Sequence, residues 1–194
     1  MPTMISHRHN TYLACAPLRA WYATISLSAA ICAPACADPA VHLAFARDPS
    51  HGINKYEVGI NWNSGFAWGN PEDWQARLQW EVELAQWDSR SGTNRQSVTE
   101  FGFSPIARLE KRGGTVVPFL EASVGPRLLS HTSTSDQHSF STAFQFSDMI
   151  GMGAAFGPGQ AAEAGFRFQH ISNAGIKEPN PGSNFYTAYL RYRY

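Results

Sequence analysis

A histidine and a serine two residues apart, His170 and Ser172, are the residues of this 194-residue chain best suited to chemistry. On a β-strand, positions i and i+2 stand side by side on one face. That spacing puts an imidazole beside a hydroxyl. Serine alone is a poor nucleophile, but a neighbouring histidine can take its proton as it attacks a carbonyl carbon. Asn184 lies fourteen residues on, at the start of the next strand, where it can hydrogen-bond the imidazole and fix its orientation. By itself a His-x-Ser pair is equally at home as two polar residues of an interfacial girdle.

The strands that position this pair read directly from alternation. Ala162, Ala164, Phe166, Phe168, His170 and Ser172 share one face, with Glu163, Arg167 and Gln169 on the other. Trp74, Ala76, Leu78, Trp80, Val82 and Leu84 oppose Gln75, Arg77, Gln79, Glu81 and Glu83 in the same manner. At the C-terminus Tyr186, Ala188, Leu190, Tyr192 and Tyr194 form an apolar face closed by a terminal aromatic. Eight such strands are expected, at 41–47, 55–62, 74–87, 98–110, 117–129, 144–156, 162–173 and 184–194. Turn-rich stretches separate them, among them Asp48-Pro-Ser-His-Gly, Asn63-Ser-Gly, Lys111-Arg-Gly-Gly, Gly157-Pro-Gly and Glu178-Pro-Asn-Pro-Gly. A soluble sandwich also alternates. A barrel in lipid does so with apolar side chains outward and charged ones in the lumen.

Composition favours the barrel. Charged residues make up only 15% of the chain and aromatics 13%. Residues 1–37 hold no acid, have Arg8 and Arg19 as their only Lys or Arg, and carry an apolar run from Ala20 to Ala33 ahead of Ala35-Cys36-Ala37. This is the layout of a cleaved secretory signal, the run being shorter than the ~20 residues of a spanning helix. All three cysteines, Cys15, Cys32 and Cys36, lie inside it, so the expected mature domain, 38–194, has no disulfide, cysteine metal site or cysteine nucleophile. Without the two arginines, 13 basic residues stand against 15 acidic ones, and no basic patch invites nucleic acid. The expected fold class is all-β: an eight-stranded antiparallel transmembrane β-barrel of the bacterial outer membrane, filled by its own side chains. With both termini periplasmic, His170 and Ser172 fall on the lipid-facing side near the external rim. Polar groups there are costly unless they serve a purpose.

The run His170-Ile-Ser-Asn-Ala-Gly-Ile-Lys-Glu-Pro-Asn-Pro-Gly182 resembles the hallmark segment of the lipid A 3-O-deacylase (PagL) family. Pro118-Phe-Leu-Glu-Ala-Ser-Val-Gly125 and Phe144-Gln-Phe-Ser-Asp-Met-Ile-Gly-Met-Gly153 are secondary matches, and the N-terminal half agrees only in strand character. The resemblance implies a hydrolase that cleaves the 3-O-linked acyl ester of lipid A in lipopolysaccharide, without cofactor or metal. It makes His170 the general base and Ser172 the nucleophile. Asn173 and Gly175 match positions implicated in the oxyanion hole, and Asn180 matches a further asparagine that holds the loop or simply shapes the turn. One departure stands out. Family members carry an acid where this chain has Asn184, and an amide supplies no negative charge to an imidazolium. Asn184 as an orienting group is the favoured reading. Glu178 or the outward-phase Asp148 is the substitute, and reduced activity is the third outcome.

Two other functions fit the same strands. A non-catalytic structural or adhesive barrel would work through its external loops, above all Ser130–Ser141, where His131 and His138 are a weak metal-ligand pair. A lipid A acyltransferase would replace water by an acyl acceptor. A homodimer is compatible with either, and self-association would regulate access to the lipid-facing side.

Overall fold

The computed structural model describes residues 38–194, so the expected export signal lies outside the described residues. Eight long strands follow one another: β1 (Ala40–Asp48), β2 (Ile53–Gly69), β3 (Trp74–Ser89), β4 (Val98–Lys111) and β5 (Val117–Leu129), then β8 (Phe144–Phe156), β9 (Ala162–Ser172) and β10 (Ser183–Arg193). Two short strands, β6 (Ser133–Ser135) and β7 (His138–Ser139), form a small hairpin between β5 and β8. Every long strand pairs antiparallel with its neighbours, and β1 pairs with β10, so the sheet closes on itself. Closure leaves no unpaired edge, which is what lipid demands of a spanning β structure.

The register obeys the alternation. Leu43, Val124, Ile150, Phe166, Tyr186 and Leu190 are exposed on the outside, while the intervening Arg127, Arg167, Arg191, Glu81, Glu100 and Glu163 are buried in the lumen. These charges satisfy one another. Arg167 reaches Glu81 at 2.7 Å and Glu121 at 2.6 Å, and Arg191 links Glu81 and Glu163 at 2.8 Å each. Arg127 pairs with Glu83 and Glu100, and Lys55 with Glu57. The interior is thus a fixed ionic lattice that cross-braces opposite walls. Above it an apolar cluster closes one end, built from Ile53, Trp87, Val98, Leu129, Phe140, Ile171 and Phe185. Trp87 meets Phe185 edge-on at 4.8 Å between ring centres, and its indole N–H donates to Glu100 at 2.6 Å, joining cluster to lattice.

The two rims differ. At one, the connections span residues 49–52, 90–97, 130–143 and 173–182; at the other they span 70–73, 112–116 and 157–161. Outer-membrane barrels carry short periplasmic turns and longer external loops, so the first rim is the external one. It holds the β9–β10 connection, as the strand parity requires.

Three details depart from the expected strands. Asn63-Ser-Gly is not a turn. β2 continues to Gly69, and the register slips between Asn63 and Ala67. The Ser64 hydroxyl donates to the Leu78 carbonyl at 2.7 Å, so the turn-forming residues make a bulge because a partner strand extends past them. β9 ends at Ser172, which leaves Asn173 in the loop. Finally, the Ser130–Ser141 segment does not project freely, because Phe140 packs into the apolar cluster at the mouth.

Candidate active site

His170 lies near the external end of β9, half-buried on the outer face, with Ser172 two residues further along the same face. In register, Asn184 on β10 stands directly opposite His170 on one side and Asp148 on β8 directly opposite on the other. The Asn184 side-chain oxygen accepts a hydrogen bond from His170 Nδ1 at 2.8 Å. An amide oxygen only accepts, so Nδ1 carries a proton, and Nε2 is the nitrogen that offers a lone pair when the ring is neutral. The contact therefore fixes both the tilt of the ring and the tautomer a general base needs. Gly182, at φ +68°, permits this placement. A Cβ at that position would lie 2.8 Å from His170 Cε1.

The loop after Ser172 is built by asparagines. Asn173 is fully buried. Its amide nitrogen donates to Ser141 Oγ at 2.9 Å and to the Lys177 carbonyl at 2.7 Å, and its oxygen accepts from the Gly175 N–H at 3.0 Å. Its own N–H donates to Asn180 Oδ1 at 3.0 Å, while the Asn180 N–H donates to Glu178 Oε2 at 2.9 Å. Asn173, Gly175 and Asn180 thus share one knot, with Ala174 between them at φ +56°. Glu178 is engaged in that turn, whereas Asp148 is exposed on the outer face beside His170.

A groove of about 550 Å³ runs from His170 and Asp148 across the outer face, lined by Phe168, Ile150, Val124, Ala122 and Ala107. Its walls are apolar and its floor is made of small side chains. A larger groove of about 940 Å³ lies on the outer face among Met152, Ala164, Phe166, Ala188 and Leu190 and includes none of the pair's polar groups. Its lining is that of a lipid-contacting wall.

The family model described as Lipid A 3-O-deacylase (PagL) matches residues 54–193. The chain belongs to that family. Within it, the lipid A deacylase PagL of Pseudomonas aeruginosa is 30% identical over 137 residues, which covers 70% of this chain and 76% of that one. The lipid A deacylase PagL of Bordetella bronchiseptica is 47% identical over 64 residues, covering 33% and 34%. Among solved structures, the crystal structure of the outer membrane enzyme PagL superposes with a TM-score of 0.70 at 26% identity, covering 80% of this chain and 99% of that one. Fold, membrane and family agree with the reading of the strands and of the hallmark run.

Other polar clusters have different roles. His131 bonds Ser130 Oγ at 3.0 Å, whereas His138 bonds Ser183 Oγ at 3.0 Å and stacks on His51, so the two loop histidines have separate partners. Among the described residues His42, Glu81 and Glu83 lie close enough to share an ion. Glu81 is already held by Arg167 and Arg191, and Glu83 by Arg127, so the cluster belongs to the lumen lattice. Sequence reasoning missed Asp48, Ser141 and Ser183 near the site. Their partners are distant in the chain, and nothing local marks them.

Proposed function

We propose that this protein hydrolyses the 3-O-linked acyl ester of lipid A, with Ser172 as nucleophile and His170 as general base. The observation that carries the proposal is the His170–Asn184 contact of 2.8 Å on the lipid-facing side of a barrel of this family. Ser172 Oγ attacks the ester carbonyl carbon while its proton moves to His170 Nε2. The tetrahedral intermediate then expels the sugar oxygen, which takes that proton back. Water, deprotonated by the same nitrogen, releases the fatty acid from Ser172.

The site opens sideways into the membrane. A lipopolysaccharide molecule in the outer leaflet can present its ester without leaving the bilayer, its acyl chain lying in the groove beneath His170. Asn173 and Gly175 frame the oxyanion pocket. Their donors are held by loop bonds in the free enzyme, so stabilising the oxyanion exchanges one of these for the substrate oxygen. The Gly175 N–H, bonded to a single amide oxygen, is the donor assigned to that exchange. Under the same reading residues 1–37 are an export signal and 38–194 the mature enzyme. Any homodimer must leave the β8–β9–β10 face open to lipid.

The test is mass spectrometry of lipid A from cells exporting the protein. The wild type removes one 3-linked hydroxyacyl chain, and S172A and H170A leave it in place while still giving a folded, heat-modifiable barrel. Unchanged lipid A with correctly inserted wild type would sink the proposal, and so would a fully active S172A.

A further inference from the structure

The inner side of the β9–β10 site carries a second layer that the family assignment does not account for. Asp48, at the end of β1, is fully buried. Its carboxylate accepts from the Asn184 N–H at 3.2 Å, from Ser50 N–H at 3.0 Å and from His51 N–H at 3.3 Å, with His51 Nδ1 at 2.7 Å. His51 stacks face to face on His138, ring centres 3.9 Å apart. His138 in turn bonds the Ser183 hydroxyl at 3.0 Å. The two residues that open β10, Ser183 and Asn184, are therefore both tied from inside to one Asp–His–His cluster. On the outer side Asn184 holds His170.

We propose that Asp48 is the positioning carboxylate of this enzyme: it anchors the Asn184 backbone and supplies, through β10, the negative charge missing from the Asn184 side chain. The inference rests on His170 being the base. Three observations support it. A carboxylate buried this completely must have its charge compensated, and here the Asn184 N–H of the site shares that task with Ser50 and His51 of the β1–β2 turn. Asp48 on β1 and the imidazole on β9 are separated by β10 alone and lie on opposite faces of the sheet. His51, directly bonded to it, is the group able to offset its charge.

Arg47, next to Asp48, is exposed on the outer face of β1 opposite Tyr186 of β10. Asp148 borders His170 from β8, and Lys177 and Glu178 lie in the loop. Lys55 lies deeper in the lumen, committed to Glu57, Glu100 and Gln169. His138 faces His51 from the β6–β7 hairpin. Burial and the neighbouring His51 push its imidazole down to about 4, so it stays neutral through the working range.

The test is the pH dependence of kcat on lipopolysaccharide for the purified full-length protein in detergent micelles. Asp48→Asn keeps the shape and removes the charge. A carboxylate on the order of 8 Å from an imidazole shifts its titration by about half a pH unit, so the acid limb of D48N moves down by that amount. The plateau falls about threefold, the same shift expressed as a rate. His51→Gln keeps a hydrogen-bond partner for Asp48 but removes the offsetting imidazole, so its acid limb moves up. Displacements of opposite sign cannot come from loosened packing. A merely structural role lowers the plateau and leaves both limbs in place, and that result overturns the proposal. If D48N gives no heat-modifiable band, the H51Q limb decides alone: upward supports the proposal, and unmoved overturns it. S172A, assayed in parallel, reports separately on the serine–histidine reading.

Discussion

Replacing Asn184 by aspartate tests the catalytic site most directly. The Asn184 oxygen lies 2.8 Å from His170 Nδ1, so an isosteric carboxylate inherits the contact without moving either strand. Under the proposed mechanism an amide fixes the ring but does little for the positive charge that would develop on it as Ser172 loses its proton. Unit charges about 4 Å apart interact by about 1 kcal/mol in water and about 4 kcal/mol in the surroundings of a protein surface. Both residues are half-buried, which places the gain between these limits. Asp48, which accepts the Asn184 N–H, opposes part of it by like-charge repulsion. A net gain of about 1 to 2 kcal/mol corresponds to roughly a 5- to 30-fold rise in kcat. Release of the 3-linked fatty acid from lipopolysaccharide in micelles, followed by mass spectrometry under single-turnover conditions, isolates the chemical step. Asn184→Ala, which leaves the ring unheld, falls about tenfold or more in the same assay. If N184D and N184A both run at the wild-type rate, the His170–Asn184 contact has no part in catalysis and the reasoning fails. If N184A falls and N184D does not rise, orientation matters and charge is already supplied from elsewhere.

Two further outcomes follow from the geometry. Ala122→Phe fills the floor of the groove beneath His170 and is expected to raise KM for substrates with long 3-linked chains by about tenfold while sparing short ones, since a few methylenes in an apolar pocket are worth about 1–3 kcal/mol; equal loss for all chain lengths would show that the chain lies elsewhere. The hairpin carrying His138 is expected to loosen in acid. Its imidazole is held at about 4 by burial and by His51, below the usual histidine range, so the unfolded hairpin binds more protons than the docked one between about pH 6.5 and 4. The docking free energy is complete above that window and is lost as the pH falls through it. Hydrogen exchange of residues 133–140 reads this directly, and exchange that stays constant from pH 7 to 4.5 would contradict it.

The barrel was legible because lipid makes burial unambiguous. Leu78, Trp80, Val82 and Leu84 had to face outward once Gln79, Glu81 and Glu83 required partners, and the register between β3 and β4 follows that choice. The failures came where tertiary pairing overrode local chemistry. Asn63-Ser-Gly carries every mark of a turn, yet β3 runs long enough to pair residues on both sides of it, and the surplus residues become a bulge. The Ser130–Ser141 segment reads as a polar external loop because its one large apolar residue, Phe140, is diluted among serines and threonines. That residue decides the outcome, since it alone finds the cluster around Trp87.

The placement of the candidate site residues was legible on the outer face and not on the inner one, for a reason built into strands. Parity tells which residues share a face, so His170, Ser172 and Asn184 declare themselves as polar intruders on an apolar stripe. It says nothing of what stands behind them through the sheet. Asp48 belongs to the lumen face of β1, where a charged residue is unremarkable, and only barrel closure brings β1 beside β10. Ser141 likewise meets Asn173 and Lys177 only after the β5–β8 connection has folded back over the mouth. Under the proposal for Asp48, barrel closure also supplies part of the mechanism. The same pairing of first and last strands that removes the exposed edges delivers a buried carboxylate to the strand that orients the base. Under the same proposal the uncharged Asn184 suffices only while Asp48 keeps its charge. This makes the two positions interdependent, and a double-mutant cycle between N184D and D48N should show coupling well beyond the sum of the single changes, whereas strictly additive effects would mean the two layers act independently.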